Sequence, residues 1–171
     1  MSTRALERAY AIAARVVDPE LPVLTLADLG VLRSVTEVDG VPGALEVAIT
    51  PTYSGCPAMA AMRDDLVRVL TAAGYDDVRV RVDLSTPWST DWISERGRAA
   101  LAAAGISPPG AASHHTGPVP LTLTPRPRDL RCPRCGAAAG VGLVSEFGPT
   151  ACTALYRCPA CAEPFTHVKE L

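Results

Sequence analysis

The stretch CPRCGAAAGVGLVSEFGPTACTALYRCPAC, from Cys132 to Cys161, decides the fold of the C-terminal part of the chain. Cys132-Pro-Arg-Cys135 and Cys158-Pro-Ala-Cys161 each put two thiolates on a tight turn. The 22 residues between the pairs can form the hairpin that brings the turns together. Four thiolates around one ion make the closed tetrahedral shell of structural zinc, with no position left for substrate. About forty residues bury little surface, so metal binding, worth about 10–16 kcal/mol in small zinc peptides, is expected to fold this segment. A thioredoxin-type redox pair needs one CxxC ahead of a helix in a larger α/β domain, and that context is missing. A rubredoxin-like iron site and an iron–sulfur cluster use the same ligand chemistry and stay open as alternatives.

Three further features of this segment carry expectations. Cys152, in GPTACTALYR, is expected to lie on a strand as a small buried hydrophobe, with an extra ligand or a redox thiol as the alternative. His167, six residues past Cys161, is expected to be an exposed strand residue. Arg126, Arg128, Arg131 and Arg134 precede or join the first cysteine pair and prompt a nucleic-acid hypothesis. Residues 126–171 hold only 6 Lys and Arg against 4 Asp and Glu, short of the basic stripe that phosphates demand, so no nucleic-acid partner is expected.

Upstream, residues 107–127 contain six prolines, Gly110, Gly117 and the adjacent His114 and His115. This composition suits an extended connector, which would hold neither histidine rigidly enough for catalysis. The chain therefore divides into a first domain over 1–106, a linker over 107–127 and a metal ribbon over 128–171.

Within the first domain, Leu6, Ala9, Tyr10, Ala13, Val16 and Val17 recur at helical spacing, with Ser2 or Thr3 as the cap and Asp18-Pro19 as the stop. VLRSVTEV and ALEVAIT read as a hairpin about Asp39-Gly40. A helix over about 57–73 presents Met59, Met62, Leu66 and Val69 and closes at Gly74. VRVRVDL alternates, so Val78, Val80, Val82 and Leu84 should be buried opposite Arg79 and Arg81. Ser89 or Thr90 can cap a last helix that uses Trp92, Ile93, Ala100 and Leu101 and stops at Gly105. Trp88 and Trp92 could line a partner groove, although core packing suits at least one of them. The fold class is α+β: a small two-layer α/β domain followed by a β-rich zinc ribbon.

Cys56, the one cysteine before the ribbon, lies in Thr50-Pro-Thr-Tyr-Ser-Gly-Cys-Pro57 at the start of the second helix. Helix N–H groups and the hydroxyls of Thr50, Thr52 and Ser54 would favour its thiolate. A buried structural cysteine is the competing reading. Asp18 and Glu20 offer ligands or bases, or simply end the first helix. No Walker loop, GxGxxG or nucleophile elbow is present in the sequence. Mean hydropathy is +0.18, yet charges interrupt every apolar run, so no membrane span is expected. Glu7 and Arg8 break the N-terminal apolar stretch that a signal peptide needs, which points to the cytoplasm.

DPELPVLTLADLGVLRSV, VAITPTYSGCPAM, TPWSTDWISERGRAALAAAGI and the tail CPRCG with SEFGPTACTALYRCPACAEPF together resemble the PaaD family. These are small accessory proteins encoded with the bacterial phenylacetyl-CoA epoxidase of phenylacetate degradation. The first domain is similar to the SufT-like iron–sulfur assembly factors. The resemblance implies a non-catalytic role in making or maintaining the epoxidase's diiron or iron–sulfur centre. It also implies the oxygenase or reductase subunits as partners, one structural zinc, and a transient iron or iron–sulfur cluster as cargo. The family's DPE motif maps onto Asp18, Pro19 and Glu20, and its reactive cysteine onto Cys56. A structural scaffold for the oxygenase is the alternative role, and a homodimer is compatible with either. One departure is that the chain ends Pro164-Phe165-Thr-His-Val-Lys-Glu-Leu171, without the further cysteine that PaaD proteins often carry.

Overall fold

The structure, a computed structural model, describes residues 1–53, 55–112 and 130–170. It divides into two compact units, one of Met1–Trp88 with Trp92–Ala100 and the other of Ser89–Asp91 with Leu101–Leu171. The chain is of the α+β class, its first unit mixing helices with a sheet and its second β-rich.

In the first unit, α1 spans Thr3–Ala13, and the Ser2 hydroxyl accepts from Ala5 N at 3.3 Å. The helix stops short of Val16 and Val17, which the sequence places on it. Asp18 precedes a proline and is driven from helical ψ, and the chain turns instead so that Val17 bridges to Thr25. Strands β1 (Leu32–Glu37) and β2 (Leu45–Ile49) form the expected antiparallel hairpin, paired from Leu32 with Ile49 to Glu37 with Leu45. Gly40 supplies its left-handed turn residue at φ 74°.

Helix α2 (Met59–Ala72) buries Met62, Leu66 and Leu70 and returns the chain to β3 (Val78–Val82), parallel to β2. The helix ends at Gly74 (φ 94°), with Tyr75 N donating to Leu70 O and Gly74 N to Thr71 O. The sheet order β1-β2-β3 makes β2 central, with Leu45, Val47 and Ile49 fully buried. β3 corrects the expected alternation. Val78 and Val80 are only half-buried, while Val82 and Leu84 are exposed. The strand lies at an edge, and its pairing ends at Ile49 with Val82, so Leu84 has already left the sheet.

A short 3₁₀ turn at Thr90–Trp92 leads to α3 (Glu95–Ala103), which starts later than the Ser89 or Thr90 cap would place it. Ser94 is the effective cap, accepting from Gly97 N at 2.9 Å. Its hydroxyl also donates to Asp28, which accepts from Thr25 N and Oγ1 and pairs with Arg96. Trp88 is a core residue whose indole donates to Leu29 O at 2.8 Å. Trp92 lies under the Arg33 guanidinium at 3.6 Å, and its Cβ fills the space beside Gly30.

The second unit contains a three-stranded antiparallel sheet of β4 (Gly142–Ser145), β5 (Thr153–Arg157) and β6 (Pro164–Val168), in that order. Leu130, Cys132, Ala154, Tyr156, Cys158 and Phe165 form its core, with Tyr156 stacked on Phe165. Ser107, which the sequence assigns to the linker, pairs with the outer edge of β6. Its N–H donates to Thr166 O at 2.8 Å and its carbonyl accepts from Val168 N. His114, His115, Arg126 and Arg128 lie outside the described residues.

Candidate functional site

The ribbon turns present their cysteines in matched fashion. In each pair the first cysteine is buried and the second exposed. Cys132 N donates to Ala137 O and Gly136 N to Cys132 O, while Cys158 N donates to Glu163 O, so backbone bonds close both turns. All four Sγ atoms lie within 4.8 Å of one another, with Cys132 to Cys161 at 3.7 Å and Cys135 to Cys158 at 3.6 Å. Zinc–sulfur bonds of about 2.3 Å in a tetrahedron put the sulfurs about 3.8 Å apart, so the cluster fits a single four-thiolate ion. Bonds from Cys161 N and Ala160 N lower the Cys158 thiol to about 7, which favours the thiolate form a metal requires. The Glu163 N–H lowers Cys161, but burial and the neighbouring thiols outweigh it and push that group up to about 12.

Cys152 is not in the strand. It is a half-buried turn residue just before β5, with Sγ 3.2 Å from the Thr150 hydroxyl. Six residues of largely extended chain, about 20 Å at about 3.3 Å each, separate it from Cys158. His167 is fully buried, contrary to the exposed placement expected from sequence. Its Nδ1 faces the Ser107 carbonyl and hydroxyl, both at 3.1 Å, and its Nε2 faces Glu170 at 3.2 Å. The bond with His167 brings the Glu170 carboxyl down to about 2. The added Ser107 backbone is what covers this histidine, and Pro/Gly composition gave no sign of it. Arg134 is paired with Glu163 at 2.5 Å, which takes one charge from the hypothetical basic stripe.

In the first unit, Cys56 lies between the buried end of β2 and the start of α2. Its N–H donates to Tyr53 O at 3.0 Å, and Met59 N donates to its carbonyl at 3.4 Å. The thiol is half-buried. The helix begins at Met59 rather than Pro57, with Ala58 as an N-cap that supplies no side-chain bond. Of its first N–H groups, that of Met59 is taken by the Cys56 carbonyl, which ties Cys56 directly to the helix start. Ser54 lies outside the described residues.

Asp18 and Glu20, equal in the sequence, differ in the structure. Asp18 is buried, and its Oδ1 accepts from Glu20 N at 2.8 Å and Leu21 N at 2.7 Å. Burial nevertheless raises its carboxyl above the usual range against those two bonds. Glu20 is half-buried and raised by burial and by the Asp18 charge. Asp18 thus ties the 18–24 loop together, and Glu20 is the acid nearer solvent. Among the described residues, the four ribbon cysteines are the one group of three or more His, Cys, Asp or Glu close enough to share an ion.

A protein of Escherichia coli (strain K12) that bears the name of a 1,2-phenylacetyl-CoA epoxidase subunit is 41% identical over 160 residues, covering 94% of this chain and 90% of the relative. The PaaD zinc beta ribbon domain matches residues 116–169, which include all four clustered cysteines. The chain belongs to the PaaD family. The remainder of this PaaD chain fits the same assignment, since residues 9–82, with Asp18, Glu20 and Cys56, match the iron-sulfur cluster assembly protein family. A domain of unknown function, DUF59, from Bacillus anthracis aligns with 56% of the chain and 90% of its own length, at 28% identity and a TM-score of 0.50. A Mycobacterium tuberculosis protein associated with Fe-S complex assembly and repair aligns with 61% of the chain and 90% of its own length, at 32% identity and a TM-score of 0.36. No described helix is long and apolar enough to cross a membrane.

Proposed function

We propose that this PaaD chain is a non-catalytic accessory subunit of a phenylacetyl-CoA epoxidase, acting in the cytoplasm on the assembly or maintenance of that enzyme's diiron or iron–sulfur centre. The observation that carries this is the setting of Cys56. It is the one cysteine of the segment that matches the iron-sulfur cluster assembly family, and it stands at the start of a helix, with its carbonyl accepting from Met59 N and Ala58 as a cap without a side-chain bond. The amides and dipole of a helix start favour a thiolate, the form that ligates iron or a cluster. The name of the E. coli relative supports the epoxidase as the client. Asp18 and Glu20 are the candidate acids of the family's motif, with Asp18 holding the loop that carries Glu20.

The ribbon holds one structural zinc through Cys132, Cys135, Cys158 and Cys161. Bound there, zinc would be closed to substrate and would serve folding only. The 1–106 domain carries the thiol, and the ribbon supplies a rigid platform.

Metal analysis of epoxidase purified without oxygen from a strain lacking this gene tests the role. Iron should fall several-fold, and wild type should restore it while Cys56→Ser should not. Full restoration by Cys56→Ser would sink the thiol's role. Stable co-purification in fixed stoichiometry, with iron unaffected by the deletion, would support the oxygenase scaffold instead.

A further inference from the structure

Strand β4 is an end strand of its sheet. It pairs with β5 on one side only, so its other edge has no strand partner among the described residues. Adjacent residues of a strand face opposite sides, yet Leu143 is 45% exposed and Val144 is 57% exposed. The ladder shifts between Leu143 and Ser145, leaving Val144 as the extra residue of a bulge. Natural sheets blunt open edges with charge, proline, short length or a bulge; Gly142-Leu-Val-Ser145 is short and bulged but carries neither charge nor proline.

Phe147 continues the strip and is 75% exposed. The loop holding it is well tied. The Ser145 hydroxyl donates to Phe147 O at 2.9 Å and accepts from Phe147 N at 3.1 Å. Gly148 N donates to Thr153 O, and the Thr153 hydroxyl to Thr150 O at 3.0 Å. These bonds fix the backbone that carries the ring, so less loop ordering is left to be lost on contact.

Cations flank the strip. Arg157 sits across from Gly142 at one end, and the Lys169 ammonium lies 4.9 Å from the Phe147 ring at the other. Neither has a carboxylate partner among the described residues; Arg157 contacts the Ala162 carbonyl and Lys169 the Ala151 carbonyl. Glu146 is the one acid within the strip, leaving it a net charge of +1.

We propose that the β4 edge and Phe147 form a docking strip for an extended segment of another epoxidase subunit, apolar at its centre and carrying carboxylates toward its ends. The segment adds a strand to β4, its apolar residues cover Leu143, Val144 and Phe147, and its carboxylates meet Lys169 and Arg157. This rests on the subunit reading above and adds to it the surface and the chemistry of the partner.

The test mixes the zinc-loaded full chain with the purified remaining epoxidase subunits and follows amide hydrogen exchange and affinity. Amides of 142–147 should become protected. Phe147→Ala and Lys169→Glu should each weaken binding by about tenfold, the scale of a binding anchor, with zinc content and melting temperature unchanged. Raising the salt should weaken wild type more than Lys169→Glu. If wild type binds the subunits with protection elsewhere and both variants bind equally well, the strip is wrong and the subunit reading stands. If wild type binds no epoxidase subunit, both fail. If the variants instead turn a dimer of this chain into monomers, the occupant is a second copy and the proposal is overturned.

Discussion

Gly136 and Ala162 occupy equivalent positions in the two metal turns, each directly after the second cysteine of its pair, and both are left-handed, at φ 74° and 61°. Glycine takes that conformation without steric cost, whereas alanine loses about 1 kcal/mol or more to its Cβ. Ala162→Gly should therefore stabilise the zinc-loaded ribbon by about 1 kcal/mol, and Gly136→Ala should weaken it by a similar amount. Chemical denaturation of both variants checks the pair, and a loss of stability in Ala162→Gly would contradict it.

Metal content should separate the thiols. Cys132→Ser and Cys158→Ser remove buried ligands and should drop zinc from one per chain to a small fraction. Cys152→Ala should leave stoichiometry at one, since the length of β5 holds that thiol away from the cluster. Chelation should expose Tyr156 and Phe165 of the ribbon core, read as a change in tyrosine fluorescence, because metal binding is what holds so small a core together.

Asp28 gives the first unit a pH dependence with a definite sign. Burial works to raise its carboxyl, but bonds from Thr25 and Ser94 and the Arg96 charge outweigh burial and bring it below the usual value of 3.8. A carboxyl lowered on folding stabilises above its unfolded pKa, and that stability is lost as pH falls through the folded one. Asp28→Ala should cost about 2–3 kcal/mol at neutral pH, with the difference from wild type shrinking below pH 3.8. Trp88 fluorescence against urea, at several pH values, reads this unit directly.

Gly30 joins this network to the tryptophans. Its φ is 69°, and a Cβ there would meet the Cβ and carbonyl of Trp92. Gly30→Ala should cost about 2 kcal/mol or more, the sum of a left-handed alanine and an overpacked contact. A thermal midpoint within a degree of wild type would refute this.

The features legible in the sequence were those with short-range causes. The CxxC spacing located the four-cysteine cluster, Asp39-Gly40 and Gly74 located a turn and a helix end, and alternation in ALEVAIT located the central strand. What escaped depended on distant neighbours. The same alternation in VRVRVDL misled, because alternation does not tell how far the packed layer reaches along a strand, and Val82 stands at the end of the ladder. His167 looked exposed because the chain that covers it is sixty residues away. Asp18 and Glu20 looked alike because only the loop geometry shows which carboxylate accepts two amides.

The pairing of Ser107 with β6 bears on where this chain can be cut. A fragment beginning at 128 would uncover His167 and the β6 edge, exchanging a sealed border for a second open one. A fragment beginning at Leu101 carries its own seal. Among the described residues the ribbon is thus a module with one closed side and one open side, and the open side is β4.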